Sequence, residues 1–210
     1  MQADLPVRCA CGAVRGIVRG ISRHRGNRVV CYCDDCQSFA HFLGSVDRIL
    51  DGHGGTDIFQ MSPARLEITG GVDRLACIRL RPRGLLRWYA GCCRTPIGNT
   101  PASWKAPFVG LIHSCIDRQA AGPSRDELLG PVRARIHARD AKGDRVKLAA
   151  HERVPAWLFL RILSILLVAR LRGDHARSPF FDAVTGDPIA PPHVLSAEER
   201  GRIEAIRDGA

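Results

Sequence analysis

Three cysteines within six residues, Cys31, Cys33 and Cys36, are the densest group of reactive side chains in the sequence. This spacing is typical of a site for a soft metal, because zinc takes its cysteine ligands from short clusters. Three protein ligands also leave the fourth position of a tetrahedral ion open for water or a substrate, as in catalytic sites. We therefore predict that these three residues form a catalytic zinc site.

Four further cysteines form two pairs, Cys9 with Cys11 and the adjacent Cys92 and Cys93. A closed structural zinc site needs four soft ligands, which commonly come as two short clusters from separate hairpins. Seven clustered thiols are too many for one ion and nearly enough for two. The sequence therefore predicts one or two zinc ions, with one closed site and one open site.

The residues also allow other interpretations of the three-cysteine group. A fourth protein ligand, His41 or His53, could close the site and make it structural. The thiols could instead form disulfides or remain free without a metal. Asp34 and Asp35 lie between the cysteines, where short polar side chains more commonly cap backbone amides than take part in catalysis.

The order of these groups resembles the glutathione-dependent formaldehyde-activating enzyme family, which includes relatives of centromere protein V. Four segments carry the resemblance, namely residues 8–12, 31–37, 55–63 and 87–99. Together they span about residues 7–115, and the resemblance implies that the chain is a divergent member of that group. Each short motif is weak alone, but their joint order is specific.

The resemblance implies both a fold and a chemistry. The implied fold is mainly β, a zinc-binding β-tent of small twisted antiparallel sheets. A structural zinc would be held by Cys9, Cys11 and a later cysteine pair, and a catalytic zinc by the three-cysteine group. Founding members act as carbon–sulfur lyases on the adduct of glutathione and formaldehyde. Glutathione or another small thiol adduct is therefore the implied substrate, although a shared fold does not by itself make this chain an enzyme.

The later cysteine pair departs from the family pattern Cys-x-x-Cys-Gly-Thr. When the segments are aligned on Thr95, Cys93 takes the place of the second cysteine, but Ala90 stands at the first. Cys92 could replace the missing ligand, although adjacent side chains point apart in a regular strand. A turn would bring both thiols to one metal; otherwise the site has three thiols, another ligand or no metal.

The composition and net charge of the chain limit the partners that it is expected to bind. The 31 basic residues exceed the 21 acidic residues, giving a net charge of +10, and all but three of the basic residues are arginine. Because the arginines are spread along the chain without a dense run, nucleic-acid binding is not favoured. A positive surface would equally suit small anionic ligands.

The cysteines and the first residues favour the cytoplasm. The count of nine is odd, and residues 1–8 lack the basic and apolar segments of a secretory signal. Thiols in a reducing compartment serve mainly as metal ligands or buried side chains. Cys77 and Cys115 stand alone in apolar runs and are expected to be core thiols.

The remaining pattern predicts the elements that position the cysteines. Residues 13–21 are expected to form one bent strand or two, residues 29–30 a strand leading into Cys31, and residues 37–43 one or two helical turns. Further strands are predicted at residues 66–68, 75–80, 85–89, 108–112 and 132–138.

We predict a zinc-binding β domain over residues 1–150 and a helical extension packed on it over residues 151–210. Within the extension, residues 156–172 form a strongly apolar helix that is too short, and too interrupted by Arg161, to favour a membrane span. Three roles stay open for this helix: docking on the β core, contact in a homodimer, or binding at a membrane surface. The alternative function is therefore a non-enzymatic zinc module that binds a partner through this helix.

The end of the chain carries one clear local signal. Ser196 and Glu199 have the spacing of a capping box, in which each side chain binds the backbone amide of the other residue. They predict a last helix of about three turns.

Overall fold

Eleven strands form two β-sheets in residues 3–117, 125–144 and 148–209, the residues that this computed structural model describes. The strands are β1 (Ala3–Arg8), β2 (Arg15–Ile21), β3 (Asn27–Cys31), β4 (Thr56–Met61), β5 (Leu66–Gly70), β6 (Leu75–Arg79), β7 (Leu86–Ala90), β8 (Thr95–Thr100), β9 (Val109–Ile112), β10 (Ala134–Ile136) and β11 (His193–Val194).

The smaller sheet has the order β1-β2-β5, and the larger has the order β10-β3-β4-β9-β8-β7-β6-β11. Pairing is antiparallel except at the two edges of the larger sheet, where β10 runs parallel to β3 and β11 runs parallel to β6. The predicted mainly β fold is therefore confirmed, with two sheets whose pairing is largely antiparallel.

Four of the strands, β1, β4, β8 and the two-residue β11, were not predicted from the sequence pattern. All six residues of β4 are buried, so it lacks the alternation of a half-exposed strand. β1 contains Pro6, and β8 contains Pro96 and Gly98, residue types that weaken a strand prediction.

The main core centres on Trp88 of β7, which is completely buried. Its indole nitrogen donates a hydrogen bond to the Thr100 hydroxyl at 3.0 Å, and its ring packs against Phe180 at 4.9 Å between centroids. This core joins residues of both sheets with residues near position 180. The C-terminal part of the chain thus contributes side chains to the β core.

The helices of the described residues are α1 (Asp34–Leu43), α2 (Val46–Ile49), α3 (Arg125–Leu129), α4 (Ala156–Leu171) and α5 (Ala197–Asp208). α4 follows Pro155 and ends before Gly173, which has a φ of 68°, as predicted. α5 starts with the predicted capping box, since the Glu199 amide donates to the Ser196 hydroxyl at 3.1 Å and the Ser196 amide donates to Glu199 at 2.8 Å.

α4 docks on the larger sheet by one face only. Leu158 and Ala169 are buried, while Ile162 packs beside Leu158 against residues of β3, β4 and β10. The opposite face exposes seven large apolar side chains: Trp157, Phe159, Leu160, Leu163, Leu167, Val168 and Leu171. Among the described residues, no helix has both the length and the apolar character needed to cross a membrane.

A buried ion pair links two neighbouring strands of the larger sheet, β3 and β4. Arg28 of β3 is 5% exposed and donates to Asp57 of β4 at 2.8 Å. We expect Asp57→Ala to lower the free energy of unfolding by about 3–5 kcal/mol, because it leaves a buried guanidinium without its main partner. Urea denaturation measures this change. Asp73→Ala, on the surface, serves as the control, and equal losses in the two variants would contradict the prediction.

Candidate metal centres

The thiols of Cys9, Cys11, Cys92 and Cys93 converge, with all four Sγ atoms within 4.8 Å of one another. Measured separations include 3.5 Å from Cys9 to Cys11, 3.9 Å from Cys9 to Cys92 and 3.3 Å from Cys11 to Cys92. A zinc ion with Zn–S bonds of about 2.3 Å needs tetrahedral Sγ–Sγ edges of about 3.8 Å. The four-thiol group, as we call these residues, therefore has dimensions that fit one zinc ion.

Two turns build the four-thiol group. After β1, the Gly12 amide donates to the Cys9 carbonyl at 2.9 Å, and the Val14 amide donates to Cys9 Sγ at 3.2 Å. Between β7 and β8, Arg94 adopts a left-handed φ of 56°, and its amide donates to the Ala90 carbonyl at 2.7 Å. This turn brings the adjacent Cys92 and Cys93 to the same group, which resolves the geometric difficulty raised by Ala90.

Thr95 connects the two turns of the four-thiol group. Its hydroxyl accepts a hydrogen bond from the Ala10 amide at 3.0 Å and lies 3.2 Å from Cys93 Sγ. Burial raises the pKa of Cys93, but hydrogen bonds from Thr95 and the Cys11 amide outweigh it and lower the pKa to about 6. Burial and the neighbouring thiols raise the pKa of Cys92 to about 12. One ligand is thus already disposed to be a thiolate, the form that binds metal.

The second group, which we call the triad, consists of Cys31, Cys33 and Cys36. Their Sγ atoms also lie within 4.8 Å of one another, and Cys31 and Cys33 are separated by 3.4 Å. Cys31 ends β3, Cys33 is the N-cap of α1, and Cys36 lies in its first turn. The Cys33 carbonyl accepts the Cys36 amide at 2.9 Å, so α1 begins inside the motif, three residues before the predicted start.

Neither predicted histidine joins the triad. His53 Nδ1 lies 3.0 Å from the Lys142 carbonyl oxygen, on the loop before β4. His41 Nε2 is buried and has no hydrogen-bond partner among the described residues, and burial followed by the charge of Lys142 lowers the His41 pKa. Within the described residues, the triad therefore offers three ligand atoms and not four.

Arg87 of β7 is a residue of this site that the sequence pattern did not identify. It is 2% exposed, and its guanidinium lies 4.0 Å from Cys36 Sγ and 3.7 Å from the Asp35 carboxylate. Burial opposes its charge, but Cys36, Cys33 and Asp35 give a net rise in the Arg87 pKa. In the sequence, Arg87 is marked only by its charge, which stands between the apolar residues Leu86 and Trp88.

The charge of Arg87 suits a metal site. Hydrogen bonds from Cys31 and Cys33, and then the Arg87 charge, hold the pKa of Cys36 well below its ordinary value. Three thiolates around one Zn²⁺ carry a single negative charge, which one buried guanidinium balances. Because a buried cation is costly without an anion nearby, this pairing supports the fit of the triad to zinc.

The two aspartates within the motif form ion pairs and do not cap α1. Asp34 lies 3.3 Å from Arg207 of α5, and Asp35 lies 3.3 Å from Arg81. The N-cap, Cys33, makes no side-chain capping hydrogen bond. Acidic side chains in the first turn still favour the helix, because they face the positive end of its dipole.

The triad is enclosed on one side and accessible on another. Cys31 and Cys36 are buried in an apolar cluster with Leu158 and Ile162 of α4, whereas Cys33 is half-buried. Cys33 is therefore the most solvent-exposed thiol of the triad.

Cys77 and Cys115 lie outside both groups and are buried, as predicted. Burial raises the pKa of each thiol to about 12. None of the nine cysteines forms a disulfide. All nine lie within the described residues, so two thiol groups and two core thiols account for the full set.

Comparisons with known proteins identify the family of this chain but give no information on its chemistry. A crystal structure of a Rhodobacter sphaeroides protein aligns with a TM-score of 0.40 and 16% identity, covering 61% of this chain and 97% of that one. No curated protein matches the sequence. Residues 1–191 match a family described as "Family of unknown function (DUF6151)". Since the match spans most of the 210 residues, the protein belongs to the DUF6151 family.

Proposed function

We propose that this protein binds two zinc ions, one in the four-thiol group as a structural ion and one in the triad as a functional ion. The difference between the groups carries the proposal, because four thiols converge at one centre and three at the other. Four protein thiolates complete a tetrahedral ion, whereas three leave one position for a ligand. In this interpretation residues 1–150 form the zinc-binding domain, and residues 151–210 form the extension.

The proposed activity is carbon–sulfur lyase chemistry on a small thiol adduct. Cys31, Cys33 and Cys36 would hold the ion, which when bound supplies a Lewis acid for a sulfur or oxygen atom. Arg87 keeps the charge of the site balanced, and Asp35 holds Arg87 in place. The half-buried Cys33 marks the side from which the ligand enters.

The substrate class follows from this chemistry and from the resemblance to formaldehyde-activating enzymes. In a hydroxymethyl thioether, the carbon–sulfur bond breaks, the hydroxyl proton moves to sulfur, and the products are a thiol and formaldehyde. Glutathione is the thiol that the resemblance suggests. Such a reaction suits the cytoplasm, where thiols stay reduced.

Metal analysis and cobalt replacement test the proposal. Purified protein should contain about two zinc ions per chain, and both should be lost at low pH because thiolates bind metal and thiols do not. After cobalt replacement, glutathione should change the visible spectrum of the wild-type protein but not of Cys31→Ser, which lacks a complete triad. Less than half an equivalent of zinc, or an identical glutathione response in both proteins, would contradict the proposal.

A second candidate function, formation of a homodimer through α4, is favoured by the exposed face of that helix. Leu160, Leu163, Leu167 and Leu171 follow one another at intervals of three and four residues and are 42–79% exposed. This spacing is typical of helices that pack against a second helix. A second copy supplies an identical stripe, so a twofold arrangement covers both faces at once.

A further inference from the structure

A cleft of about 350 Å³ lies between α4 and the turn that joins β2 to β3. It is separate from both thiol groups, and its most prominent feature is four arginines from distant parts of the chain. The polar lining consists of His24, Arg25, Ser62, Arg65, Arg161, Ser164, Arg172 and Asp174. Ile165, Val168 and Ala169 of α4 give the cleft one apolar wall.

Within the described residues, the positive charges in this cleft are only partly neutralised. No salt bridge joins Arg25, Arg65 or Arg172 to any carboxylate of the described residues. The lining contains one carboxylate, Asp174, which already accepts the Ser62 hydroxyl at 2.6 Å and pairs with Arg177. The cleft therefore carries a net positive charge.

The arginines are close enough to repel one another. Burial, and then the charge of Arg25, lowers the Arg65 pKa; Asp174 acts in the opposite direction, and Arg172 adds to the lowering. Like charges disfavour the ionised form of each other, and a bound anion would remove that cost. The arrangement is therefore more favourable with an anion than without one.

Two of the guanidinium groups are held in place by the backbone and by a buried side chain. Arg65 donates to the carbonyl oxygens of Arg19 and Gly20 at 3.2 and 3.3 Å. Arg161 donates to the side-chain oxygen of Asn27, which is completely buried. Such anchoring lowers the cost of ordering long side chains when a ligand binds.

We propose that this cleft binds a phosphate-bearing anion. Guanidinium groups present paired N–H donors that match the oxygens of phosphate, and charge-assisted hydrogen bonds of this kind are stronger than neutral ones. The volume lies at the low end of the range of small-molecule sites, so it accommodates a phosphate with a small organic group. Ile165 and Val168 would contact that organic group.

Two sources of this chemistry fit the position of the cleft. A soluble phosphate ester fits a pocket of this size. A phospholipid headgroup fits equally, because Val168 both lines the cleft and belongs to the exposed apolar face of α4. The shared element is the phosphate, and the experiment separates the sources.

The test uses full-length protein and a double variant, Arg25→Gln with Arg172→Gln. Both side chains are exposed, so their loss should not disturb the core. Arg83→Gln with Arg202→Gln removes the same charge from other exposed positions and serves as the control. Inorganic phosphate is titrated at constant ionic strength, and binding is followed by calorimetry and thermal melting. Vesicles of phosphatidylcholine, with or without phosphatidic acid, form the second arm.

We expect phosphate or phosphatidic acid vesicles to bind the wild-type and control proteins. The cleft variant should bind at least about tenfold more weakly, since each lost charge-assisted hydrogen bond corresponds to at least about that factor. Without phosphate, the melting temperature of the cleft variant should be no lower than that of the wild type, because the repulsion between the arginines is reduced. Binding to phosphatidic acid vesicles without binding to inorganic phosphate would identify the ligand as a phospholipid headgroup. The proposal fails if neither probe binds, or if cleft and control variants lose binding equally.

Discussion

A Cys11→Ser chain should retain about one zinc ion instead of two and should melt at least about 10 °C lower than the wild type. The four-thiol group joins the turn after β1 in the smaller sheet to the β7–β8 turn in the larger, so a metal ion bound there would hold the two sheets together. Cys11 is itself exposed, so the substitution leaves no cavity and the loss reports on the metal. Structural zinc contributes on the order of 10 kcal/mol in small zinc-finger peptides, far more than this shift requires.

Cys33→Ser is the matched control for this result. It should also lose one zinc ion, but its melting temperature should fall much less. The triad closes a segment of only six residues, whereas Cys9 and Cys92 of the four-thiol group are 83 positions apart. A cross-link across a long segment restricts the unfolded chain more than one across a short segment. Zinc analysis and scanning calorimetry measure both quantities, and indistinguishable variants would exclude a structural site distinct from a functional one.

Replacing Leu163 and Leu167 together with glutamate should convert a dimer into a monomer. Complete burial of a leucine side chain is worth about 1.5–3 kcal/mol, and these two are already partly covered in one copy. Four such side chains across a twofold interface would together contribute several kcal/mol, so the dimer dissociation constant should rise by at least about a hundredfold. Sedimentation equilibrium over a range of protein concentrations gives this constant.

Ile206→Glu is the control for the dimer, because Ile206 is an exposed apolar residue on a different helix, α5. It should leave the dissociation constant unchanged. A wild-type protein that stays monomeric throughout the concentration range would rule out a role for α4 in self-association. Unchanged zinc content in the double variant would show that any loss of the dimer is independent of the metal sites.

Sequence predicted well those features whose cause is local. Helix α4 lies between its proline and its glycine, and the capping box at Ser196 fixes the start of α5. The thiol groups were also visible, because their members are close in sequence. The turn at Cys92 and Cys93 was only one of several alternatives, since it depends on a left-handed conformation at an arginine, a residue type that rarely adopts it.

Features assembled from distant segments left no local pattern. Arg87 meets Cys36 across 51 positions, through the pairing of strands in the larger sheet. The arginines of the cleft come from the β2–β3 turn, the segment before β5, and α4. In sequence these residues add only to the net charge, because the tertiary fold alone brings them together.

The position of Cys33 at the N-cap of α1 has a consequence for the opposite end of the chain. Two residues of α1 hold Arg207: Asp34 at 3.3 Å and the Ser38 hydroxyl at 3.3 Å. Helix α5 contains no fully buried residue; its half-buried Ile203 packs on an apolar cluster, and polar contacts such as those of Arg207 add to its attachment. A rearrangement of the triad that shifted the start of α1 would therefore reach Arg207, which lies 169 positions after Ser38. The last helix would then respond to the state of the triad. Protease sensitivity near residue 200 should change when the triad gains or loses its ion.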